Sequence, residues 1–221
     1  MEKSLVEQIK EINHGKPEFW DKHSKTLKNE IDHELNLSKG KVFKTIGYTS
    51  DAYTKKLLKK HEDNHLLERV IDPSYGNPST IDGYSMSTLR CLDYMKHLEK
   101  YVNVNEINSV TDFGSGYGNF CRVWKIFNPN IKYYNVDLEE MLDLQKDYIR
   151  NTVENKENIY YITHRQLDQV DTNKSLFLAA YSLSECSFDV RKEVEPFLKK
   201  YDYIMIVYNE MFNNEYDNVK Y

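Results

Sequence analysis

Three observations predict an α/β fold with a doubly wound, mainly parallel sheet. From residue 108 onward, short apolar strands alternate with amphipathic helices. A glycine-rich turn separates the first of those strands from the first helix, and an acidic residue, Asp137, closes the second strand. Strand–helix–strand alternation needs crossover connections, which set consecutive strands parallel and put helices on both faces of the sheet.

Upstream of residue 108 the hydrophobic period is helical. Leu5, Ile9 and Ile12 share one face, and Trp20, Leu27, Ile31 and Leu35 recur at helical intervals. Further helices are predicted over about 50–60 and 64–71, the second stopped by Pro73. The turn formers of 73–80 read as a loop. A helix from Ser85 to Tyr101 carries Leu89, Leu92, Met95 and Leu98 on one side.

The alternating region begins with the strand Val110–Phe113. Phe120, Val123, Trp124 and Phe127 then give a helical face that Asn128-Pro129 ends. A strand over 131–136 leads to Asp137, and a helix over about 139–151 turns Met141, Leu144 and Tyr148 inward. Strands follow at 159–163 and 176–181. A helix over 188–199 is expected to be distorted by Pro196, and the most apolar strand, 203–208, comes last. Residues 1–80 thus read as a helical extension and lid, and 81–221 as the sheet domain.

Composition excludes several classes. A chain of 221 residues with 40% hydrophobic residues suits one packed domain with an appendage. The net charge of −5 comes from interleaved acids and bases. No basic stripe tracks a phosphate backbone, so nucleic acid is not an expected partner. Cys91, Cys121 and Cys186 form no Cys-x-x-Cys pair, which argues against a disulfide framework or a zinc ribbon. The N-terminal residues carry no apolar signal, and no stretch approaches the roughly 18 apolar residues of a membrane span. A cytoplasmic location without a membrane span is expected, and the abundance of Lys, Asn, Ile and Tyr hints at an AT-rich bacterial genome.

The glycine turn is Asp112-Phe-Gly-Ser-Gly-Tyr-Gly118. Such a turn lets the backbone approach a ligand closely, and the helix behind it offers free N–H groups. Dinucleotide sites space their glycines as Gly-x-Gly-x-x-Gly. Here the glycines stand at 114, 116 and 118, and Asn119 occupies the position of the last dinucleotide glycine. This acidic-x-Gly-x-Gly-x-Gly run, with Asp137 beyond it, resembles motif I of the class I S-adenosylmethionine-dependent methyltransferases, a Rossmann-like family.

The resemblance implies S-adenosylmethionine as cofactor and S-adenosylhomocysteine as product. It assigns Asp112, Gly114, Ser115, Gly116, Tyr117 and Gly118 to the methionine end and ribose, and Asp137 with Leu138 to the ribose hydroxyls. Gln166 and Leu167 would meet the adenine, and Arg90 would reach the cofactor carboxylate. A tight turn, a solvated acid and ordinary loop or surface residues are the competing structural readings. That class usually has seven strands, yet only 13 residues follow Tyr208, so the expectation is a sheet shortened at its C-terminus or a sequence that ends early.

Ligands of open parallel sheets bind outside the carboxyl ends of the strands. The fourth strand ends in Tyr181-Ser-Leu-Ser-Glu-Cys186. There Tyr181 and Ser182 would line the cofactor's methyl end, and Tyr181 and Glu185 are the catalytic candidates. Glu185 would accept a proton from a hydroxyl acceptor, or else merely cap the strand. Ser-Leu-Ser-Glu, the glycine turn, Gly76-Asn-Pro78 and Asp217-Asn218 together resemble the sugar O-methyltransferases assigned to bacterial surface-polysaccharide clusters.

That likeness implies a small carbohydrate acceptor, for which Tyr75 and Tyr84 offer stacking surfaces. Phosphoryl, phosphoramidate or amine methylation of a capsule precursor remains an alternative, as does a catalytically silent partner of another methyltransferase. His61-Glu-Asp-Asn-His65 matches His-Glu-x-x-His. Its charged flanks read as a solvated helix face rather than a buried zinc site, so no metal is expected.

Overall fold

A computed structural model describes residues 50–210 and 218–219 of the chain. The predicted helical faces of Leu5, Ile9, Ile12, Trp20, Leu27, Ile31 and Leu35 lie outside the described residues.

Six helices and five strands are described: α1 Asp51–Lys60, α2 Met86–Leu98, β1 Ser109–Phe113, α3 Asn119–Phe127, β2 Lys132–Val136, α4 Glu139–Thr152, β3 Ile159–Ile162, β4 Ser175–Ala180, α5 Ser182–Glu185, α6 Phe188–Leu198 and β5 Tyr203–Val207. Serines start three of the helices. The Ser50, Ser85 and Ser187 hydroxyls accept the backbone N–H groups of Tyr53, Thr88 and Val190, satisfying donors that the first turn leaves orphaned. Among the described residues no side chain caps α4, but Glu139 and Glu140 in its first turn complement the helix dipole.

The strands run in the order β3-β2-β1-β4-β5, and every pairing is parallel. This is a Rossmann-like, doubly wound sheet. Its order reverses between β1 and β4, and the crevice at such a reversal is where these sheets receive ligands.

Side-chain alternation splits the core in two. Leu176 and Leu178 of β4 join Val110, Trp124, Tyr133 and Leu144 beneath α2, α3 and α4. Phe177 and Ala179 join Phe113, Val136, Val194 and Tyr201 on the opposite face beneath α6. β5 pairs only with β4 among the described strands, and its Ile204 and Ile206 are exposed. The most apolar strand of the sequence is therefore only half covered by described residues.

Several boundaries differ from the sequence expectation. The helix expected over 64–71 is only a 3₁₀ turn, Leu67–Val70, because the Asn64 side chain takes the Leu66 N–H at 2.9 Å and diverts the backbone. The predicted loop at 164–168 is a 3₁₀ segment, His164–Gln169. α6 continues through Pro196 to Leu198. Proline there removes one donor close to the helix end, where little ladder remains to be lost.

The segment before the sheet is fastened by a buried polar network. Arg122 of α3 donates to the carbonyls of Val70 and Ile71, each at 3.2 Å, to Thr88 Oγ1 at 3.0 Å and to Asn119 Oδ1 at 2.8 Å. Asp72, 3.6 Å from the guanidinium, accepts the Ser85 N–H at 2.6 Å and the Thr88 hydroxyl at 2.8 Å. Burial raises the Asp72 carboxyl above its ordinary range, and Arg122 opposes that rise. Such a network costs desolvation, but with its groups bonded it fixes the loop before α2 against α3.

His61 corrects the picture of a solvated histidine pair. α1 ends at Lys60, so His61 is its C-terminal cap, and the helix that His-Glu-x-x-His requires is absent. The His61 ring is fully buried, with Nε2 3.4 Å from Asp93 Oδ1 on α2 but not aligned as a hydrogen bond. Burial lowers its pKa and favours the neutral imidazole. Lys60 pairs with the same carboxylate, so this corner fastens α1 to α2.

Candidate active site

Parallel pairing brings the ends of β1, β2 and β4 to one edge. Asp112 faces Asn135 on one side and Leu178 on the other, so the residues just beyond, Gly114 and Asp137, emerge together. All three glycines of the turn have left-handed backbones: φ is +74° at Gly114, +59° at Gly116 and +91° at Gly118. At Gly114 the need is also steric, because a Cβ there would stand 2.2 Å from the Ser182 Cβ. Gly118 forms the left-handed N-cap of α3, and a Cβ there would press on Ile149 at 3.0 Å.

Asp137 is stitched to this turn. Its Oδ2 accepts the Gly116 N–H at 3.1 Å, and its Oδ1 accepts the Leu138 N–H at 2.9 Å. Gln145 Nε2 donates to the same Oδ2 at 3.0 Å and to the Gly116 carbonyl at 2.8 Å. Burial pushes the Asp137 carboxyl up to about 7, against the pull of these donors. Although the side chain retains some solvent access, its surroundings are dry enough for desolvation to dominate.

Asp112 lies one layer deeper. It is 4% exposed, accepts the Tyr133 hydroxyl at 2.9 Å and is also pushed up to about 7, by burial first, with repulsion from Asp137 adding to it. Ser115 is buried in the turn, and its hydroxyl has no hydrogen-bond partner among the described residues. Tyr117 is 4% exposed, and its ring meets Tyr148 edge-on at 4.9 Å.

The end of β4 forms the facing wall. Tyr181 is not glycine, yet it has φ +70° and ψ −32°. Such backbones cost about 1–3 kcal/mol and persist only where the surroundings over-determine them. Here the Tyr181 N–H is held by the Val207 carbonyl at 2.7 Å, its carbonyl accepts the Ser184 hydroxyl at 2.5 Å, and the Ser182 hydroxyl donates to the Phe113 carbonyl of β1. Buried Arg191 of α6 locks the same turn by donating to the carbonyls of Ser184 at 2.6 Å and Cys186 at 3.0 Å. The half-buried Glu185 rides on this turn at the end of α5.

The remaining sequence candidates have other partners as well. Gln166 Oε1 accepts the Thr163 N–H at 3.0 Å, closing a capping box at the 3₁₀ segment. Leu167 is 2% exposed and belongs to the core cluster with Phe113 and Val136. Arg90 lies on α2 with its guanidinium 5.6 Å from the Tyr53 ring centre, a cation–π contact with α1. Tyr84 is buried in the core rather than offering a face to a sugar, and the Tyr75 hydroxyl donates to Asp147 at 2.5 Å.

Sequence reasoning missed Gln145 and Arg191. Both are wholly or nearly buried polar residues on helices, and Gln145 interrupts the apolar face of Met141, Leu144 and Tyr148. A polar side chain on an inward face was the available signal.

No protein-family model matches the sequence, and no curated protein matches it either. Solved structures do share its shape in part. A candidate O-methyltransferase of Nostoc punctiforme PCC 73102 is 18% identical, with a TM-score of 0.43, over 55% of this chain and 38% of that one. The mitomycin 7-O-methyltransferase MmcR is 9% identical, with a TM-score of 0.40, over 86% of this chain and 48% of its own. PigF, solved with SAH, is 13% identical, with a TM-score of 0.37, over 65% and 51%. This chain thus spans about half or less of each of these proteins. Among the described residues, no helix is long and apolar enough to cross a membrane.

Proposed function

We propose that this chain is an S-adenosylmethionine-dependent methyltransferase that methylates a hydroxyl of a small polar acceptor, a sugar or nucleotide-linked sugar precursor of a bacterial surface polysaccharide. One observation carries the reading: the left-handed turn at 114, 116 and 118 is hydrogen-bonded to the acid that ends β2 and contains the buried Ser115 hydroxyl, which has no partner among the described residues. That donor and acceptor set suits an amino acid joined to a ribose. The 114/116/118 spacing opposes a dinucleotide.

The turn and Ser115 would hold the methionine end, Asp137 with Leu138 the ribose, and Arg90 the carboxylate. Gln166 and Leu167 would border the adenine. Bound there, the cofactor supplies an electrophilic methyl group. Tyr181 and Ser182 would line its methyl end, and the Glu185 carboxylate would take the proton from the acceptor hydroxyl as the methyl passes to that oxygen. Residues 1–80, of which α1 already packs against α2, would contribute to the acceptor pocket as a lid.

Calorimetry tests the cofactor: S-adenosylhomocysteine should bind at micromolar level and NAD should not. Tighter binding of NAD overturns the assignment. Release of S-adenosylhomocysteine with nucleotide-sugar acceptors then tests the reaction. Binding without turnover on any hydroxyl, phosphoryl or amine acceptor would favour a silent cofactor-binding partner.

A further inference from the structure

Gln145 has 0% exposure, an extreme position for a primary amide. Both of its identified bonds run to the candidate cofactor site: Nε2 donates to the Gly116 carbonyl at 2.8 Å and to Asp137 Oδ2 at 3.0 Å. Its Oε1 has no hydrogen-bond partner among the described residues, an arrangement that burial penalises. The amide cannot be reversed, because Oε1 would then face a carbonyl oxygen and a carboxylate oxygen, both acceptors. A helix position that tolerates an orphaned oxygen to keep these two contacts is not ordinary core filling.

The consequence falls on Asp137. Three donors converge on its carboxylate: Gly116 N–H and Gln145 Nε2 on Oδ2, and Leu138 N–H on Oδ1. They fix the carboxylate plane and leave Oδ1 with a single identified donor. We propose that Gln145 is a positioning residue: it clamps the glycine turn to Asp137 and keeps that carboxylate oriented and ionised to receive the two hydroxyls of a ribose. This rests on the cofactor reading above.

Electrostatics gives the clamp a distinctive signature. Burial already pushes the Asp137 carboxyl up to about 7, and the Gln145 amide works against that rise. Its titratable neighbours are Asp112 on β1, which repels it, and the thiol of Cys186 after α5, pushed up to about 12 and so uncharged at neutral pH. Removing the amide raises the Asp137 pKa further, so the acid is lost as a ribose acceptor at a higher pH than in the wild type.

The test is calorimetric titration of S-adenosylhomocysteine into the full-length wild type, Gln145→Met and Gln145→Glu, on both sides of pH about 7, with thermal unfolding to establish that each variant is folded. Wild-type affinity should fall with decreasing pH once Asp137 protonates. Gln145→Met, close in shape but without a donor, should bind about tenfold or more weakly at neutral pH, and its decline should begin at a higher pH. Gln145→Glu can donate only when protonated, so relative to Gln145→Met it should regain affinity as pH falls. A purely structural glutamine predicts none of these changes in slope.

Wild-type affinity and an unchanged pH profile in folded Gln145→Met overturn the proposal while leaving the cofactor reading intact. If Gln145→Met does not fold, a Gln145→Glu profile parallel to the wild type overturns it equally. Failure of the wild type to bind S-adenosylhomocysteine overturns the cofactor reading, and the clamp falls with it.

Discussion

On the β1–β2 side of the sheet edge, the polar atoms of the site are held by backbone and buried partners. On the β4–β5 side, the corresponding residues are half-exposed and ride on a strained turn. Asp137 has three converging donors and a glycine turn that admits no side chain at Gly114. Tyr181 is forced into a left-handed backbone that Arg191, Ser184 and Val207 hold in place, and Glu185 follows on a single helical turn. The contrast teaches a division of labour. Under the proposed assignment, the cofactor side is fixed by backbone donors and glycine conformation, the acceptor side by side-chain locks on a strained turn, so the two can be perturbed separately.

The largest effect expected from this division is at Glu185. Glu185→Gln should leave S-adenosylhomocysteine affinity nearly unchanged while turnover falls by about 10²–10⁴, the usual contribution of positioned proton transfer. The informative pattern is a fall in kcat without a large change in the acceptor KM. A raised KM at unchanged kcat would make Glu185 a substrate-binding carboxylate, and full activity would return it to a purely structural role.

The cradle should respond in the opposite sense. Asp137→Ala removes charge-assisted hydrogen bonds and should weaken S-adenosylhomocysteine binding by about 1–3 kcal/mol. Calorimetry on the folded variant checks this, and an unchanged Kd would mean that the acid at the end of β2 does not receive the ribose.

The smallest effect concerns stability without ligand. Asp112 and Asp137 both have folded pKa values raised to about 7 from an ordinary 3.8. Between those values the folded state holds more protons than the unfolded chain. The ligand-free protein should therefore lose stability as pH rises from about 4 to about 7 and then level off. Asp112→Asn keeps an acceptor for the Tyr133 hydroxyl and cannot ionise. Its Tm should exceed that of the wild type by about 2–4 °C above pH 7, roughly 1 kcal/mol for a chain of this length, with the gap closing toward pH 4. Equal Tm values at pH about 8 would show that burying Asp112 costs the fold nothing there.

Legibility in the sequence followed the range of the interactions. Each strand and each long helix between 85 and 207 was visible from its apolar period, because burial of one face is a local pattern. The glycine turn and Asp137 were visible because left-handed backbone and strand-end position restrict residue type. Leu167 was less legible: an apolar residue in a polar run fits a ring-stacking surface and a core position equally well, and its burial beside Phe113 and Val136 is set by the fold. The helix expected at 64–71 failed for a local reason that periodicity ignores, the competition of the Asn64 side chain for backbone donors.

The sequence by itself therefore determined the parallel α/β fold, the glycine turn and the acid opposite it, since period, φ preference and spacing are properties of neighbouring residues. Only the tertiary structure decided which polar groups are buried together. Gln145 meets Gly116 across α4, Arg191 reaches back to the Tyr181 turn, and His61 disappears beneath α2 instead of facing solvent. The Gln145 and His61 pairings join residues far apart in the chain while that of Arg191 spans a short loop, but in each case hydrogen-bond satisfaction in a dry interior is a condition on three-dimensional neighbours that no one-dimensional period encodes.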